Sequence, residues 1–299
     1  MTGGEVPAGV GRTALGVAMF RAAESRRGDR LFDDPYAAAF RAAAPAVFDR
    51  EQRGTVARLG MATWGAAFQA HVVIRTRFFD DYLLDATRQG THQVVLVASG
   101  LDTRAYRLAW PAGVHLFEVD LPEVLGFKRR VLDAQAAVPR CNHRLVTADL
   151  RGDWATPLTE AGLHRDEPTA WLLEGLLMYL SAGEAGDLFT TIGGLSTTGS
   201  RLAFESDDPG VAAIREQART IPAIAEHTDL WKGGLPDTPG WLNAQGWRLT
   251  YYDRGEVATG YGRAGSGPSN GGFITAVLAD PAATGRAGQP CAGPADASG

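Results

Sequence analysis

The chain has 299 residues, 45% of them hydrophobic and 21% charged, with a formal charge of −5. That length suits one large domain or one domain with a cap, and the composition is that of an ordinary globular protein. The acidic balance supplies no basic field for nucleic acid, and no apolar run approaches the ~18 residues of a membrane-spanning helix.

The Gly-rich opening, residues 1–12, is expected to be flexible. It lacks the charged block and apolar core of a secretory signal, so a cytoplasmic location is expected. Thr13–Ala44 has helical spacing, broken at Gly28-Asp29-Arg30 and at Asp34-Pro35, where Pro35 suits the first turn of a helix through Tyr36–Phe40. Glu51–Arg88 is helical again, and His71–Leu84 (HVVIRTRFFDDYLL) spaces its apolar residues by three and four. The period then changes. Short apolar runs at Gln93–Ala98, Val114–Asp120, Arg144–Ala148, Thr169–Glu174 and Ser200–Glu205 read as strands. They alternate with helical stretches at Asp102–Leu108, Pro122–Val138, Asp153–Ala161 and Ser181–Ser196, which predicts a parallel sheet covered on both faces. Trp247–Tyr252 and Gly272–Leu278 read as two further strands, too close together for a long helix and fitting an antiparallel closing pair. Residues 13–280 thus form one α/β domain, with N-terminal helices over 13–90 and a cap insertion over 207–246, followed by a disordered Gly/Ala/Pro-rich tail at 281–299.

The most informative stretch is VVLVASGLDTRAYRL (Val94–Leu108) followed by HLFEVDL (His115–Leu121). An apolar strand stops at Ala98-Ser99-Gly100, small residues that let backbone approach a ligand. A second strand ends on Asp120, placed to accept from ribose hydroxyls, with Leu121 beside it. Glu118 shares the face of Asp120, one step deeper, and is expected to support the site. Asp102 lies where a diphosphate would sit and would repel it; it also suits a cap on the following helix. The site therefore favours a nucleoside without phosphate, such as the sulfonium S-adenosylmethionine, over a nicotinamide dinucleotide. No GxxxxGK[ST] occurs. Glu174, inside the apolar run WLLEGLLMYL, demands a partner: a cationic ligand group or a buried arginine. The basic triplet Lys128-Arg129-Arg130 is read as a solvated helix face, and the tryptophans and the LLMYL stripe as core. The histidines form no HxxH pair, and Cys141 and Cys291 no CxxC motif, so no metal is expected.

RTRFFDDYL (Arg75–Leu83), VASGLDTRAYRL (Val97–Leu108), FEVDLPEVLGFKRRVL (Phe117–Leu132), ADLRGDW (Ala148–Trp154) and WLLEGLLMYLS (Trp171–Ser181) occur in an order that resembles the leucine carboxyl methyltransferase superfamily. The likeness is to its actinobacterial branch of S-adenosylmethionine-dependent and polyketide O-methyltransferases, and it runs from about residue 12 to 279. The resemblance implies a class I methyltransferase fold: a Rossmann-like seven-stranded sheet with an antiparallel last strand. It further implies that Arg75 grips the carboxylate of the cofactor's methionine end, whose other reading is a surface arginine paired with Asp80 or Asp81. By the same likeness, Glu174 lies near the methionine moiety, Asp149 takes the adenine amine and Leu150 gives a backbone contact. Ser99 departs from the family's usual Gly or Ala and is expected to donate a hydrogen bond.

The implied activity is methyl transfer to a small molecule. No base stands out in the cap, which favours a carboxylate, already ionised at neutral pH, although Tyr179 or His227 are alternatives for a base. Other readings are a phenolic acceptor, a protein carboxyl terminus, a SAM-binding regulator without catalysis, and a nicotinamide-linked oxidoreductase.

Overall fold

In the computed structural model, residues 10–45, 55–206, 231–264 and 271–280 are described. The central strands follow from the apolar runs. β1 (Gln93–Val97) and β4 (Thr169–Leu173) are buried along their whole length, as strands covered on both faces must be. With β2 (His115–Asp120), β3 (Asn142–Thr147) and β5 (Arg201–Ser206) they form a parallel array. β7 (Gly272–Leu278) runs antiparallel to β5 on one side and to β6 (Trp247–Asp253) on the other. The sheet order is β3-β2-β1-β4-β5-β7-β6. Of its outer strands, β3 alternates in exposure, and β6 does so over Trp247–Thr250 before three successive exposed residues, Thr250, Tyr251 and Tyr252.

Strand alternation divides the core into two layers. Val94 and Leu96 of β1 pack with Phe79, Leu116, Leu132 and Phe273 on one face. Val95 and Val97 pack with Phe117, Trp154, Trp171 and Leu188 on the other. The first layer is covered by α1 (Val10–Ser25), α2 (Ala37–Ala43), α3 (Thr55–Arg88) and α5 (Pro122–Ala134). The second is covered by α6 (Ala155–Glu160), α7 (Ala182–Gly194) and α8 (Thr238–Ala244). Ser181 and Glu184 close a reciprocal capping box at the start of α7. A short α4 (Arg104–Arg107) follows β1. The expected tryptophan core is found: Trp154, Trp171 and Trp247 are all buried.

Several details differ from expectation. Helix α1 begins at Val10, inside the stretch expected to be flexible. A seven-residue helix, α9 (Arg254–Gly260), fits between β6 and β7, because two turns need little chain. Lys128 does not face solvent. It is buried and ion-paired with the fully buried Glu118, whereas Arg129 and Arg130 are exposed. The triplet straddles the face of α5: position 128 continues the apolar set Val124, Leu125, Phe127, Val131 and Leu132. Most of the expected cap, its helical start and His227 included, lies outside the described residues, as does the 281–299 tail. Among the described residues, no helix is long and apolar enough to cross a membrane, and no group of three His, Cys, Asp or Glu is disposed to hold a metal.

Candidate active site

Strand order reverses between β1 and β4, since β1 leads to β2 on one side while β4 lies on the other. Ligands of open α/β sheets bind outside the carboxyl ends of the strands at such a point. The chain turns there through a strained loop: Ala98 and Gly100 both have φ of +53°. A left-handed alanine costs on the order of 1 kcal/mol or more and persists only where neighbours hold it. A side-chain carbon added at Gly100 would come 3.4 Å from Cβ of Ala14, so α1 closes over this turn.

Asp120, at the end of β2, fixes the loop. Its carboxylate accepts from the Gly100 N–H at 2.6 Å and the Leu121 N–H at 2.7 Å. Burial pushes its pKa up, and the two N–H donors and Lys128 partly offset this. Ser99 donates to Glu118 at 3.1 Å, the bond expected of a serine at this position. Glu118 also meets Lys128, and His143 Nε2 at 3.1 Å. Burial opposes its charge, but Lys128 and His143 hold its pKa below the ordinary value. A buried ionic support thus lies directly beneath the loop.

Asp102 accepts from the Arg104 N–H at 2.6 Å, capping α4, and pairs with the Arg104 side chain. Burial works against it, yet Arg104, with Lys128, Arg21 and Arg107 behind, holds this carboxyl well below the usual range. Arg104 is the hub that sequence reading missed. It is almost wholly buried and also meets Asp80 at 2.7 Å and Glu174 at 2.7 Å. Asp80 in turn holds Arg107 at 2.6 Å.

Arg75 is buried and does not pair with Asp80 or Asp81, so the surface reading of it falls. Its Nε donates to Glu174 at 2.9 Å, and its Nη1 to both oxygens of Glu205 at 3.2 Å. Glu174, one residue past β4, therefore has one oxygen on each of two arginines, Arg75 and Arg104. Gly175 follows with φ of +66°; a Cβ there would stand 3.2 Å from Arg75 Nη1, so the glycine makes room for the guanidinium. Glu205, near the end of β5, also accepts from the Gly175 N–H at 2.6 Å and meets His71 Nε2 at 2.8 Å. Burial opposes its ionisation, but Arg75 and His71 lower its pKa strongly. Glu205 and His71 were not singled out from the sequence. The signal for Glu205 was the one used for Glu174, an acid ending an apolar strand.

At the outer end, Asp149 follows β3 and is held by Arg151 at 2.5 Å, an exposed local pair that lowers its pKa to about 2. The Ala148 N–H donates to the Asp120 carbonyl at 3.0 Å, which fixes this turn beside β2, with Leu150 half-buried next to it. Along the carboxyl edge the sheet order therefore places, in sequence, Asp149, Asp120, Gly100, Glu174 and Glu205.

Fold and edge together define a class I methyltransferase, a seven-stranded α/β enzyme with an antiparallel last strand. The chain belongs to the leucine carboxyl methyltransferase family, whose model matches residues 14–193. It is 50% identical over 276 residues to a "Putative S-adenosyl-L-methionine-dependent methyltransferase" of Parafrankia sp. (strain EAN1pec), covering 91% of this chain and 88% of the relative. A protein so named from Streptomyces coelicolor is 42% identical over 285 residues, covering 91% and 96%. A crystal structure of a putative methyltransferase from Thermobifida fusca YX superimposes with a TM-score of 0.52 at 18% identity, covering 71% of this chain and 83% of that one, a likeness of fold. The protein is thus an S-adenosylmethionine-dependent methyltransferase. Its donor set fits that cofactor: a guanidinium and a carboxylate side by side match a zwitterionic amino-acid end. The Asp120 carboxylate, which forms no ion pair among the described residues and already holds the Gly100 N–H, disfavours a diphosphate at this turn.

Proposed function

We propose that the chain methylates an oxygen of a small-molecule acceptor, in the first reading a carboxylate of a polyketide-like or other secondary metabolite. The observation that carries the donor half is the Arg75–Glu174 pair, a cation and an anion side by side as a zwitterion's complement, next to the Gly100–Asp120 corner. In this reading Arg75 binds the methionine carboxylate and Glu174 the ammonium. Asp120 takes the ribose hydroxyls, with Leu121 at its shoulder. Ala98, Ser99 and Gly100 give close backbone approach. Asp149 and Leu150 hold the adenine, for which Asp149 must release Arg151. When bound, S-adenosylmethionine supplies an electrophilic methyl on a sulfonium for in-line displacement. The protein's task is alignment and exclusion of water. The N-terminal helices and the 207–246 segment close the site and set specificity, with the reaction taking place in the cytoplasm.

A carboxylate is ionised at neutral pH and needs no base, and the carboxyl-methylating family name agrees with it. Transfer to a hydroxyl is a second reading, favoured by one specific observation: His71 is held by Glu205 in the manner of an oriented base.

Calorimetric titration with S-adenosylmethionine, S-adenosylhomocysteine and NADH tests the donor half. Micromolar binding of the first two and none of NADH is expected, with Asp120→Ala and Glu174→Ala each weakening it more than tenfold. Wild-type affinity in both variants would remove the assigned residues from the site. Turnover on a panel of small carboxylic acids and phenols separates the enzyme from a binding-only regulator.

A further inference from the structure

A cavity of about 320 Å³ opens between α1, α3 and α9, walled by Glu24, Arg27, His71, Ile74, Arg254 and Arg263 among others. β6 runs antiparallel to β7, as does β5, so β5 and β6 point the same way. Arg254, at the end of β6, therefore lies on the same sheet edge as Glu174 and Glu205, beyond them. The edge thus continues from the donor half through Glu205 to this cavity.

The polar walls differ in how they are satisfied. Arg27 and Arg263 are taken up by Asp29 and Glu24. Arg254 has no ion pair among the described residues, and its Nε is buried without a hydrogen-bond partner. Burial pulls its pKa down, and Glu205, Tyr251 and Asp253 nearby compensate only in part. A guanidinium stays charged, so it needs an anion. His71 gives Nε2 to Glu205 at 2.8 Å, while its Nδ1 is buried and unpartnered. Burial, with Arg75 and Arg254, lowers the pKa of this ring against the opposing pull of Glu205. The neutral ring with Nε2–H on Glu205 leaves a lone pair on Nδ1, and 15% of the side chain's surface stays accessible. Among the described residues, a guanidinium without an ion pair and an imidazole nitrogen without a hydrogen-bond partner share one cavity.

We propose that this cavity is the acceptor pocket and that it takes a hydroxy acid, with Arg254 holding the carboxylate and His71, oriented by Glu205, accepting the proton of the hydroxyl that is methylated. The assignment rests on the second reading above, transfer to a hydroxyl, and names its substrate class. The O–H bond breaks with its proton going to His71 Nδ1. The oxygen's electron pair forms the new C–O bond as the C–S bond breaks, and that bonding pair stays on sulfur, leaving neutral S-adenosylhomocysteine. The proton then leaves His71 for water.

The test uses the whole enzyme with 4-hydroxybenzoate, phenol and benzoate as probes, alongside His71→Gln and Arg254→Met. Glutamine can still donate to Glu205 and keep Arg75 in place, but it carries no base. The expected product is the methyl ether of 4-hydroxybenzoate, formed faster than anisole or methyl benzoate. H71Q should lower kcat about 100-fold or more and abolish a rising histidine limb in the pH profile, with calorimetric affinity for S-adenosylmethionine retained. R254M should raise KM at least tenfold with kcat little changed. In 15N spectra of the S-adenosylhomocysteine complex, 4-hydroxybenzoate should move the His71 Nδ1 resonance. Ester formation, an unchanged pH limb in H71Q, an unmoved Nδ1 resonance or an unchanged KM in R254M would each overturn the assignment while leaving the methyltransferase intact. Failure of folded wild type to bind S-adenosylmethionine would instead bring down the donor site first, and this assignment with it.

Discussion

Replacing Lys128 by Met removes the cation from beneath the Ala98–Gly100 loop while roughly keeping its volume. Lys128 is 1% exposed and Glu118 0%, so Glu118 would be left as a buried carboxylate facing only Ser99 and His143. Breaking a buried pair by removing one partner costs about 3–5 kcal/mol, because the remaining charge has lost its counter-charge. In a chain of this size about 1 kcal/mol moves Tm by roughly 2–4 °C, so K128M should melt roughly 6–20 °C lower. The second half of the reasoning concerns the partner: adding Glu118→Leu removes the stranded charge and should restore much of the loss. Differential scanning calorimetry of wild type, K128M, E118L and the double variant at pH 7 measures both. A K128M melting point within about 2 °C of wild type would refute the burial argument. So would a double variant as unstable as the sum of its two single changes.

Three further outcomes are expected. Glu174→Gln keeps the shape but removes a charge shared by Arg75 and Arg104, and should weaken S-adenosylmethionine binding at least tenfold, about 1.4 kcal/mol, by calorimetry; unchanged affinity would return Glu174 to a purely structural role. Gly175→Ala forces a left-handed alanine into contact with Arg75 Nη1, and should cost about 1–3 kcal/mol in chemical denaturation as well as displace the guanidinium. Acid titration should reveal the buried carboxylates. Glu205 and Asp102 have native pKa values below their ordinary 4.5 and 3.8, so the folded state binds fewer protons than the unfolded one. Their contribution is complete above about pH 5 and is lost as pH falls through the native values; Asp120, shifted upward, acts in the opposite sense. Stability that rises from pH 5 to pH 3 in urea melts would contradict this.

The parallel strands were legible because burial on both faces leaves uninterrupted apolar runs; Gln93–Val97 and Thr169–Leu173 match the expected strands to within a residue. The meeting of the Gly100 turn with Asp120 was legible because small residues and a strand-terminal acid lie 20 positions apart on adjacent parallel strands. What stayed hidden was partnership across long separations. Arg104 finds Asp80 at a distance of 24 residues and Glu174 at 70, and Arg75 finds Glu205 at 130. Periodicity reports which side of a helix faces inward, and it does not say which opposite charge waits there. Lys128 shows the same limit from the other direction, since two exposed arginines beside it made the triplet look solvated. The short helix α9 left little periodic signal, since two of its seven residues are glycines, Gly255 and Gly260.

Glu205 is shared between Arg75 on one side and His71 on the other. Any ligand that draws Arg75 away leaves that carboxylate's negative charge to act on the imidazole alone, which raises the ring's affinity for a proton. Thermodynamic reciprocity then requires the converse: a protonated His71 loosens Arg75's hold on Glu205 and frees the guanidinium for an incoming anion. Occupancy of one half of the cleft and proton affinity in the other are thereby two readings of a single equilibrium, and the affinity for a carboxylate-bearing donor acquires a pH dependence that no group in direct contact with it needs to supply.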